Sequence, residues 1–594
     1  MKKIINYPEN VVKEMCHGIV LAHPELEMLP KYKVLYRKNK NRNKVNLISG
    51  GGSGHEPAHA GFVGEGMLDA AVCGDVFASP SQIQVYQAIR EMETKQGVLL
   101  IVKNYSGDMM NFKNAAHLAS EDGILVDYVK VDDDIAVKDS LYTVGRRGVA
   151  GTVFVHKIAG AMAERGSSLE EVKRVANKAI ANVKSIGFAF SSCTVPAKGT
   201  PTFTLQDNEM EYGVGIHGEP GIKRCNVMNA DELASKMVES LCKELNLGTT
   251  KEPDRIALLV NGFGATPLME LYLLNASVNR ILHKKGITVA HTLVGNYMTS
   301  IDMEGASISI LKLDDELETL YKASCNTPAL KLDSNTSAAP YYEPFERNKT
   351  EEVLSYEIET PSAYSEINGN INLQNMLYIV DTMSHVIIKN EIPFCELDSH
   401  AGDGDFGMSV AKGFRQLKKE WKSILATKDL TISSFLDACS LIIMEHCGGA
   451  SGPIWGSAFR AASRNVLDKN ELTMKDFASM LQAAVAGIQA TGERSFGRGA
   501  VVGDKTLIDA LVPCADAWSS FDKSTIDFVE AFMLGAKRAV EGAKKTEEIA
   551  ARMGRAGTVG DRSIGYPDAG AYALGVIFTE IANSIAVDPL LQTY

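Results

Sequence analysis

The sequence predicts a multidomain protein with an N-terminal α/β domain and a C-terminal all-α domain. The chain has 594 residues, which is too long for one ordinary hydrophobic core. In the first half, short β-rich apolar runs alternate with helical segments, and several of the runs end in glycines. In the second half, apolar residues recur at helical spacing and β-rich runs are few.

Six β-rich runs in the first half are interpreted as buried strands. Loops that follow such strands are the usual place for a ligand in α/β folds, so we expect a binding site at the strand ends. The runs cover residues 45–49, 98–104, 152–157, 188–192, 256–262 and 308–313.

Residues 334–369 are polar, contain prolines and show no hydrophobic period, which predicts a linker. The domains on either side are then residues 1–333 and 370–594. In the second domain, helical spacing predicts helices over residues 375–390, 409–425, 433–446, 474–491, 525–553 and 570–585.

Composition and charge exclude several classes of function. A net charge of −12 argues against a nucleic-acid partner. The ten cysteines are scattered without a C-x-x-C pair, which is typical of reduced, mostly buried thiols in a cytoplasmic protein. The N-terminal segment does not resemble a signal peptide, and no stretch of eighteen apolar residues predicts a membrane span.

Three aspartates in the second half form the sharpest motif there. Asp398, Asp403 and Asp405 lie in ELDSHAGDGDFG between two helical segments, interleaved with glycines that permit a bend. Three converging carboxylates repel one another unless a hard cation lies among them, so the motif predicts a Mg²⁺ site. The alternative is a solvated acidic turn; the spacing does not match an EF-hand.

Two glycine-rich stretches accompany this motif, at residues 447–459 and 554–571. Backbone N–H groups at glycine turns and helix starts commonly hold anions, although such glycines also serve as helix caps and close packing positions. The chain has no G-x-x-x-x-G-K-[ST] motif. A nucleotide here would therefore be held by carboxylate-bound Mg²⁺ and backbone amides.

The stretch ISGGGSGHEPAHAG allows two interpretations. His55 and His59 match the H-E-x-x-H zinc-protease pattern, which requires both histidines on one face of a regular helix. Pro57 fits only the first turn of a helix, and the preceding glycines indicate a turn after a strand. We therefore favour a loop that holds a small polar ligand.

Two further stretches complete a candidate site in the first half. Asp108 follows a buried strand in VKNYSGDMMNF, close to Lys103, and should lie in the same strand-end crevice as His55. His217 lies among glycines in GVGIHGEPG, an unfavourable setting for a core histidine. Such a group suits a small polyhydroxy substrate, with a histidine or carboxylate taking a hydroxyl proton during phosphoryl transfer.

Taken together, these motifs resemble the dihydroxyacetone kinase family over about residues 1–333 and 370–594. The motifs that resemble its substrate domain are GGGSGHEPAHAGFVGEGMLDAAVCGDVFASPS, IVKNYSGD, GIHGEPG and NGFGATPLMELY. Those that resemble its nucleotide domain are ELDSHAGDGDFG, GGASGP, GDKTLIDAL and GRAGTVGDRSIGYPDAGA. The resemblance implies an α/β substrate domain and a barrel of antiparallel helices that holds ATP.

The resemblance also implies roles for individual residues. The histidine at the position of His217 binds the substrate ketone covalently as a hemiaminal, and those at His55 and Asp108 bind hydroxyls and assist proton transfer. Further substrate contacts are implied at Gly52, Ser53, Gly54 and Lys103. Two Mg²⁺ ions are implied at Asp398, Asp403 and Asp405. Nucleotide contacts are implied at Ser409, Ala450, Ser451, Leu507, Arg555, Asp568 and Gly570.

Some positions depart from the family pattern, namely Phe406, GRAGTVGD and GYPDAG. They concern the nucleotide pocket and leave the three aspartates intact. A covalent bond to a histidine would select ketones over glycerol, because only a carbonyl carbon can add an imidazole nitrogen.

The resemblance leaves several functions open. The phosphate donor is ATP, as in fused members of the family, or a phosphocarrier protein that recharges bound ADP. The substrate is dihydroxyacetone or another short ketose such as erythrulose. A side activity on flavin nucleotides and a non-catalytic regulator are further alternatives, and the intact site residues argue against the regulator. The resemblance implies a homodimer formed through the α/β half.

Overall fold

The computed structural model describes residues 2–137, 145–219, 221–249, 252–333, 342, 357–521, 527–554, 557 and 559–585. The chain divides into two compact units, residues 1–347 and 348–594. The first is an α/β unit and the second is helical, as the sequence predicts. Among the described helices, none combines the length and the apolar character that crossing a membrane requires.

The α/β unit contains two six-stranded sheets. The first sheet has the order β1-β2-β4-β3-β5-β6, and β3, β4, β5 and β6 form its parallel part. Its strands are β1 (Leu26–Leu29), β2 (Val34–Arg37), β3 (Asn46–Ser53), β4 (Ala70–Val76), β5 (Val98–Lys103) and β6 (Val126–Val131). Because β3 and β5 are parallel, their carboxyl ends meet at one edge of the sheet.

The second sheet has the order β11-β10-β12-β7-β8-β9, in which only β10 and β11 pair in parallel. Its strands are β7 (Val183–Ala189), β8 (Glu209–Tyr212), β9 (Lys223–Asn226), β10 (Arg255–Gly262), β11 (Thr288–Gly295) and β12 (Gly305–Leu313). A small hairpin follows, with β13 (Cys325–Asn326) and β14 (Lys331–Leu332). Both sheets contribute to one buried apolar core, which includes Leu47, Phe263 and Leu311.

Helices cover the sheets and connect the parallel strands. The helices of this unit are α1 (Val11–Ala22), α2 (Gln82–Met92), α3 (Ser106–Glu121), α4 (Thr152–Glu164), α5 (Leu169–Asn182), α6 (Ala230–Leu245), α7 (Leu268–Lys284) and α8 (Asp315–Lys322). A reciprocal cap between Ser81 and Gln84 begins α2, and one between Asn229 and Glu232 begins α6. Such caps satisfy N–H groups that the helix itself leaves unpaired.

The strand prediction for residues 152–157 is wrong, because this segment forms the start of α4. Nearly every residue of α4 is buried, between α5, α8 and the strands of the first sheet. A helix buried all around shows no polar stripe, so its β-branched apolar residues imitate a strand in sequence. The predicted run 188–192 is also displaced, since β7 ends at Ala189.

In the second unit, eight of the helices form a closed ring. The helices are α9 (Leu373–Lys389), α10 (Glu391–Asp398), α11 (Phe406–Leu425), α12 (Ile432–His446), α13 (Ser451–Asn465), α14 (Met474–Phe496), α15 (Ile508–Ser520), α16 (Phe528–Lys545) and α17 (Ala569–Ile585). From α11 to α17 each helix packs on the next, while α9 packs on both α11 and α17. Most of these neighbours are joined by short connections, which favours antiparallel packing around the apolar core.

One helix prediction and one glycine-loop prediction need correction. The helix predicted over residues 525–553 ends at Lys545, because the backbone and hydroxyl groups of Thr546 are engaged by other segments. Residues 522–526 lie outside the described part. The glycine stretch 447–459 is a loop only at its beginning, since α13 starts at Ser451.

Residues 357–369 belong to the predicted linker, yet they contact the helical unit. The backbone N–H groups of Glu359 and Thr360 donate to Asp381 Oδ2 over 2.8 and 2.9 Å. The other carboxylate oxygen accepts a 2.5 Å hydrogen bond from Lys418 Nζ, and both side chains are buried. Residues 334–341 and 343–356 lie outside the described part of the chain.

We expect the substitution Asp381→Asn to destabilise the helical unit by about 3 kcal/mol, because it removes the buried carboxylate next to the Lys418 ammonium and leaves the more distant Glu359, 3.9 Å away, as its charged neighbour. The three tryptophans of the chain, Trp421, Trp455 and Trp518, all lie in this unit, so their fluorescence during urea unfolding of the full-length protein reports on it. The exposed Asp468→Asn is the control and should change stability by less than about 0.5 kcal/mol. Equal stability of the two variants would contradict this account.

Candidate active site

The end of strand β3 shapes the first site because its glycines leave room for neighbouring backbone. A Cβ atom on Gly52 would lie 2.6 Å from the backbone nitrogen of Ala78 and the carbonyl carbon of Phe77, and one on Gly50 would collide with the Val72 carbonyl oxygen. Gly51 has a φ of +153°, in the region that favours glycine. The glycine run therefore lets residues 77–79 close over the end of the sheet.

Lys103 and Asp108 meet beside Gly51. Lys103 ends β5, and Asp108 lies in the first turn of α3. An ideal Cβ on Gly51 would lie 3.0 Å from Lys103 Nζ and 3.3 Å from Asp108 Oδ2. Both side chains are buried, and the Lys103 ammonium has no hydrogen-bond partner. An ammonium group buried without a hydrogen-bond acceptor is costly, so its presence favours a ligand that accepts from it.

Burial has opposite effects on these two groups. It lowers the pKa of Lys103, and the nearby Asp108 carboxylate opposes that shift. It raises the pKa of Asp108, and the charge of Lys103 opposes that shift. The pair can thus hold an ammonium and a carboxylate together, with the carboxylate made more basic than usual.

His55 and His217 form the second half of this site. His55 Nε2 lies 3.2 Å from His217 Nε2, and His55 Nδ1 donates to the Thr299 carbonyl over 2.8 Å. A carbonyl only accepts, so Nδ1 of His55 carries the proton and Nε2 is left as an acceptor for His217 Nε2–H. Burial lowers the pKa of both imidazoles, that of His217 to about 4, so both are neutral near pH 7.

A buried arginine fixes the loop that carries His217. Arg147 donates to the Gly213 carbonyl over 2.9 Å and to Glu219 Oε1 over 3.2 Å. The other oxygen of Glu219 accepts the backbone N–H of His217 over 2.8 Å. Arg147 also pairs with Asp134 over 2.7 Å. Both ends of the loop are therefore held by one guanidinium group, whose planar set of donors suits such a role.

His217, Asp108 and Glu219 lie at a cleft of about 580 Å³. Aromatic rings contact His217 on two sides, with ring centroids 4.5 Å away for Tyr105 and 5.3 Å away for Phe77. His55 and Lys103 are fully buried behind this lining. The cleft is lined by Gly52, Phe77, Ser79, Tyr105, Ser106, Gly107, Asp108, Thr202, His217, Gly218 and Glu219.

The two histidines of the H-E-x-x-H pattern have different partners. His59 Nδ1 lies 2.9 Å from His156 Nε2, on the side of α4, while His55 contacts His217. Residues 55–59 do not form a regular helix. Among the described residues, no group containing His55 and His59 has the arrangement of a metal site. The geometry therefore supports the ligand loop over the zinc-protease interpretation.

In the helical unit the three predicted aspartates converge. Asp398 ends α10, Asp405 precedes α11, and Asp403 lies between them. One carboxylate oxygen from each lies within 4.8 Å of the others. The Gly404 N–H donates to Asp398 Oδ2 over 2.9 Å, which helps to hold the bend. Three oxygen ligands at this separation fit a hard cation such as Mg²⁺.

The aspartates lie at one side of a second cleft, with a volume of about 230 Å³. The amino-terminal ends of α11, α13 and α17 all contribute to it, and helix amino termini favour phosphate groups. Of the predicted nucleotide residues, the cleft is lined by Ser409, Ala450, Ser451, Leu507, Asp568 and Gly570. Arg555 lies outside the described residues.

Asp568 is a half-buried carboxyl group that lines this cleft. Burial raises its pKa to about 7, and the hydrogen bond from the Ala571 N–H opposes the shift. Nearby, the rings of His400 and Tyr566 stack with centroids 3.8 Å apart.

Several functional positions were not singled out from the sequence. Tyr105, Glu219, Tyr566 and Phe77 lie inside motifs that carry the family resemblance, so their place near the two clefts could have been predicted. Arg147 carried no local signal of its role, because its contact with Glu219 joins segments 72 positions apart in the chain.

Comparison with known proteins agrees with this arrangement. The Dak1 domain model matches residues 17–329, and the DAK2 domain model matches residues 400–583. The L-erythrulose 1-kinase of Mycolicibacterium smegmatis is 34% identical, covering 98% of this chain and 100% of the relative. The dihydroxyacetone-binding subunit of the PTS-dependent dihydroxyacetone kinase 1 of Listeria innocua is 54% identical, covering 53% of this chain and 95% of the relative.

Among solved structures, the dihydroxyacetone kinase of C. freundii in complex with AMP-PNP and Mg²⁺ is similar over 98% of this chain and 99% of that one, with 29% identity and a TM-score of 0.61. The fold and its two sites define a kinase built from a substrate unit and a nucleotide unit. The chain belongs to the dihydroxyacetone kinase family, in the form that fuses a Dak1 and a DAK2 domain. The resemblance inferred from the motifs is thus confirmed.

We expect Asp403→Asn to remove the stabilisation that Mg²⁺ and AMP-PNP give to the helical unit, about 2.7 kcal/mol for the wild type at one hundred times the dissociation constant. In chelator the same variant should be as stable as the wild type or slightly more stable, because one of three repelling carboxylates is neutral. Urea unfolding followed by tryptophan fluorescence measures both. The exposed Glu396→Gln on α10 is the control and should keep the full ligand effect. A variant still stabilised as strongly as the wild type would refute this metal site.

Proposed function

We propose that the protein transfers the γ-phosphate of ATP to dihydroxyacetone and forms dihydroxyacetone phosphate, with the substrate held covalently on His217. The observation that carries this proposal is the 3.2 Å contact between Nε2 of His217 and Nε2 of a His55 whose other nitrogen donates to the Thr299 carbonyl. A proton acceptor in contact with His217 Nε2 supports the proposal, because this nitrogen must lose its proton to become a nucleophile.

The covalent step balances with these two residues alone. His217 Nε2 passes its proton to His55 Nε2 and attacks the ketone carbon, so a C–N bond forms and the carbonyl π bond breaks. The carbonyl oxygen then takes the proton from His55 and becomes the hydroxyl group of a hemiaminal. His55 ends the step neutral, as it began, and no further reactant is needed.

Asp108 and Lys103 are suited to the hydroxyl end of the substrate. The raised pKa of Asp108 makes its carboxylate a better acceptor for the hydroxyl proton. The unpartnered Lys103 ammonium can donate to a substrate oxygen. As the proton moves to Asp108, the hydroxyl oxygen attacks the γ-phosphorus and ADP leaves.

The helical unit is suited to hold the ATP. Residues at the amino termini of α11, α13 and α17 line the cleft, and helix amino termini favour phosphates. Mg²⁺ held at Asp398, Asp403 and Asp405, expected as two ions, would neutralise phosphate charge and polarise the transferred group.

Two alternatives have specific support. The Listeria relative is named PTS-dependent and matches the α/β unit at 54% identity, which favours a phosphocarrier protein as donor. Against this, the C. freundii kinase matches the whole fused chain and was solved with AMP-PNP. The Mycolicibacterium relative is named for L-erythrulose, so a four-carbon ketose is the second candidate substrate.

A single assay separates these proposals. Purified full-length protein with Mg²⁺, ATP and dihydroxyacetone should form dihydroxyacetone phosphate and ADP without any added protein. The same assay with erythrulose and with glycerol ranks the acceptors by kcat/KM, and glycerol should not react. Turnover that requires added phosphocarrier proteins would refute ATP as the donor, and equal turnover of glycerol would refute the covalent selection of ketones.

We expect dihydroxyacetone to add one substrate mass to the intact full-length protein, and the His217→Gln variant to show no adduct. Only the neutral imidazole has the lone pair for attack, so adduct occupancy should stay constant from neutral pH down to about pH 5 and fall as the pH drops through about 4. Native mass spectrometry across this pH range measures it. The exposed His117→Gln is the control. An adduct on another residue, or a fall centred near pH 6.5, would contradict the assignment.

A further inference from the structure

Lys505 is a buried lysine whose ammonium group contacts four backbone carbonyls. Its Nζ donates to the carbonyl oxygens of Thr546 at 2.6 Å, Ser563 at 2.7 Å, Tyr566 at 2.7 Å and Ile549 at 3.2 Å. The side chain is 2% exposed. An ammonium group has three protons, so the longest of these contacts shares a proton with another.

The four carbonyls belong to two separate segments of the chain. Thr546 and Ile549 follow α16, whereas Ser563 and Tyr566 precede α17. Lys505 comes from a third segment, the turn before α15. Lys505 and Tyr566 both line the nucleotide cleft, so the ammonium group joins three segments at its wall.

The turn that carries Lys505 is held in one conformation. Lys505 has a left-handed φ of +61°, which is uncommon for a residue with a side chain. Asp509 accepts the N–H groups of Gly503 at 2.6 Å and Thr506 at 2.8 Å, on either side of Lys505. The side chain is thereby directed toward the carbonyls before any ligand binds.

The contact extends to the residues that face the nucleotide. Thr546, whose carbonyl accepts from Lys505, has a hydroxyl group that accepts the N–H of Asp568 over 2.8 Å. Asp568 in turn accepts the N–H of Ala571 over 2.8 Å and so begins α17. Asp568 and Gly570 line the cleft.

Lys505 is therefore placed differently from a lysine that binds phosphate. Its protons are directed to carbonyl oxygens, and the buried side chain has none left for a phosphate group. Carbonyl oxygens that converge in this way repel one another unless a cation lies among them. Four of them around one Nζ form the kind of oxygen cage that would also accept a free monovalent cation.

We propose that Lys505 is a positioning residue whose ammonium group acts as a tethered cation, assembling the segment from Ser563 to Gly570 for nucleotide binding, and that a free ammonium ion can replace it when the side chain is removed. This rests on the proposed function in one respect, namely that the ligand of the cleft is a nucleotide.

The test compares Lys505→Ala, which removes the amine and leaves space, with Lys505→Met, which fills the space without a charge. Binding of AMP-PNP with Mg²⁺ to the full-length protein is followed by the fluorescence of Trp455, which lines the cleft. Each titration is made in choline chloride and in ammonium chloride at equal ionic strength. The exposed Lys475→Ala serves as the control for loss of a positive charge from this unit.

In choline chloride we expect both Lys505 variants to bind AMP-PNP about 100-fold more weakly than the wild type, because displaced binding groups lose affinity steeply. Ammonium chloride should restore most of the affinity of Lys505→Ala, but none of that of Lys505→Met. The wild type and Lys475→Ala should bind equally in both salts. Wild-type affinity of Lys505→Ala in choline, or equal weakness of that variant in both salts, would overturn the proposal.

A second variant keeps the test decisive if the Lys505 variants do not fold. Thr546→Val keeps the shape of the side chain and removes the hydroxyl that accepts from Asp568, so AMP-PNP affinity should fall about tenfold, while Thr546→Ser should bind as the wild type does. Equal binding by Thr546→Val would overturn the link to Asp568. A wild type that does not bind AMP-PNP would instead refute the proposed nucleotide function.

Discussion

The close approach of backbone at the glycine end of β3 is the constraint on which the substrate site depends. Because Gly50, Gly51 and Gly52 lack side chains, the segment after β4 can close over the strand end, and Lys103 and Asp108 can lie against the vacated space. A side chain at any of these positions would meet backbone or would displace the charged pair. The site can therefore form because these three glycines lack side chains, which is the common use of glycine where two backbone segments must approach closely.

The two clefts differ in the charges of their side chains. In the α/β unit, burial keeps His55 and His217 neutral, so an imidazole is available as a nucleophile near pH 7. The charged group there is the Lys103 ammonium, which has no hydrogen-bond partner and can donate to a polar ligand. In the helical unit, carboxylates converge beside three helix amino termini, a combination suited to cations and phosphates together. The first arrangement suits the covalent addition that we propose, and the second suits the proposed binding of a metal–nucleotide complex.

Buried cations hold the loops at both clefts. Arg147 ties Gly213 to Glu219 across the loop of His217, and Lys505 ties the segments after α16 and before α17. In both cases the donors meet carbonyl or carboxylate oxygens of segments that have little regular structure of their own. A network of this kind costs desolvation and is stable only when nearly every donor is paired, so it specifies one loop conformation.

The sequence by itself determined the two fold classes, the glycine-bounded strand ends, the three aspartates and the residues that carry the family resemblance, because these depend on local pattern and short spacing. It did not reveal that residues 152–157 are helical, since burial on all sides removes the period that distinguishes helix from strand. Only the tertiary structure decided that His55 contacts His217 while His59 contacts His156. It also decided that the Lys505 ammonium donates to backbone carbonyls and not to phosphates. These outcomes depend on contacts between residues 41 to 162 positions apart, and no local preference encodes which distant partner a polar group will meet.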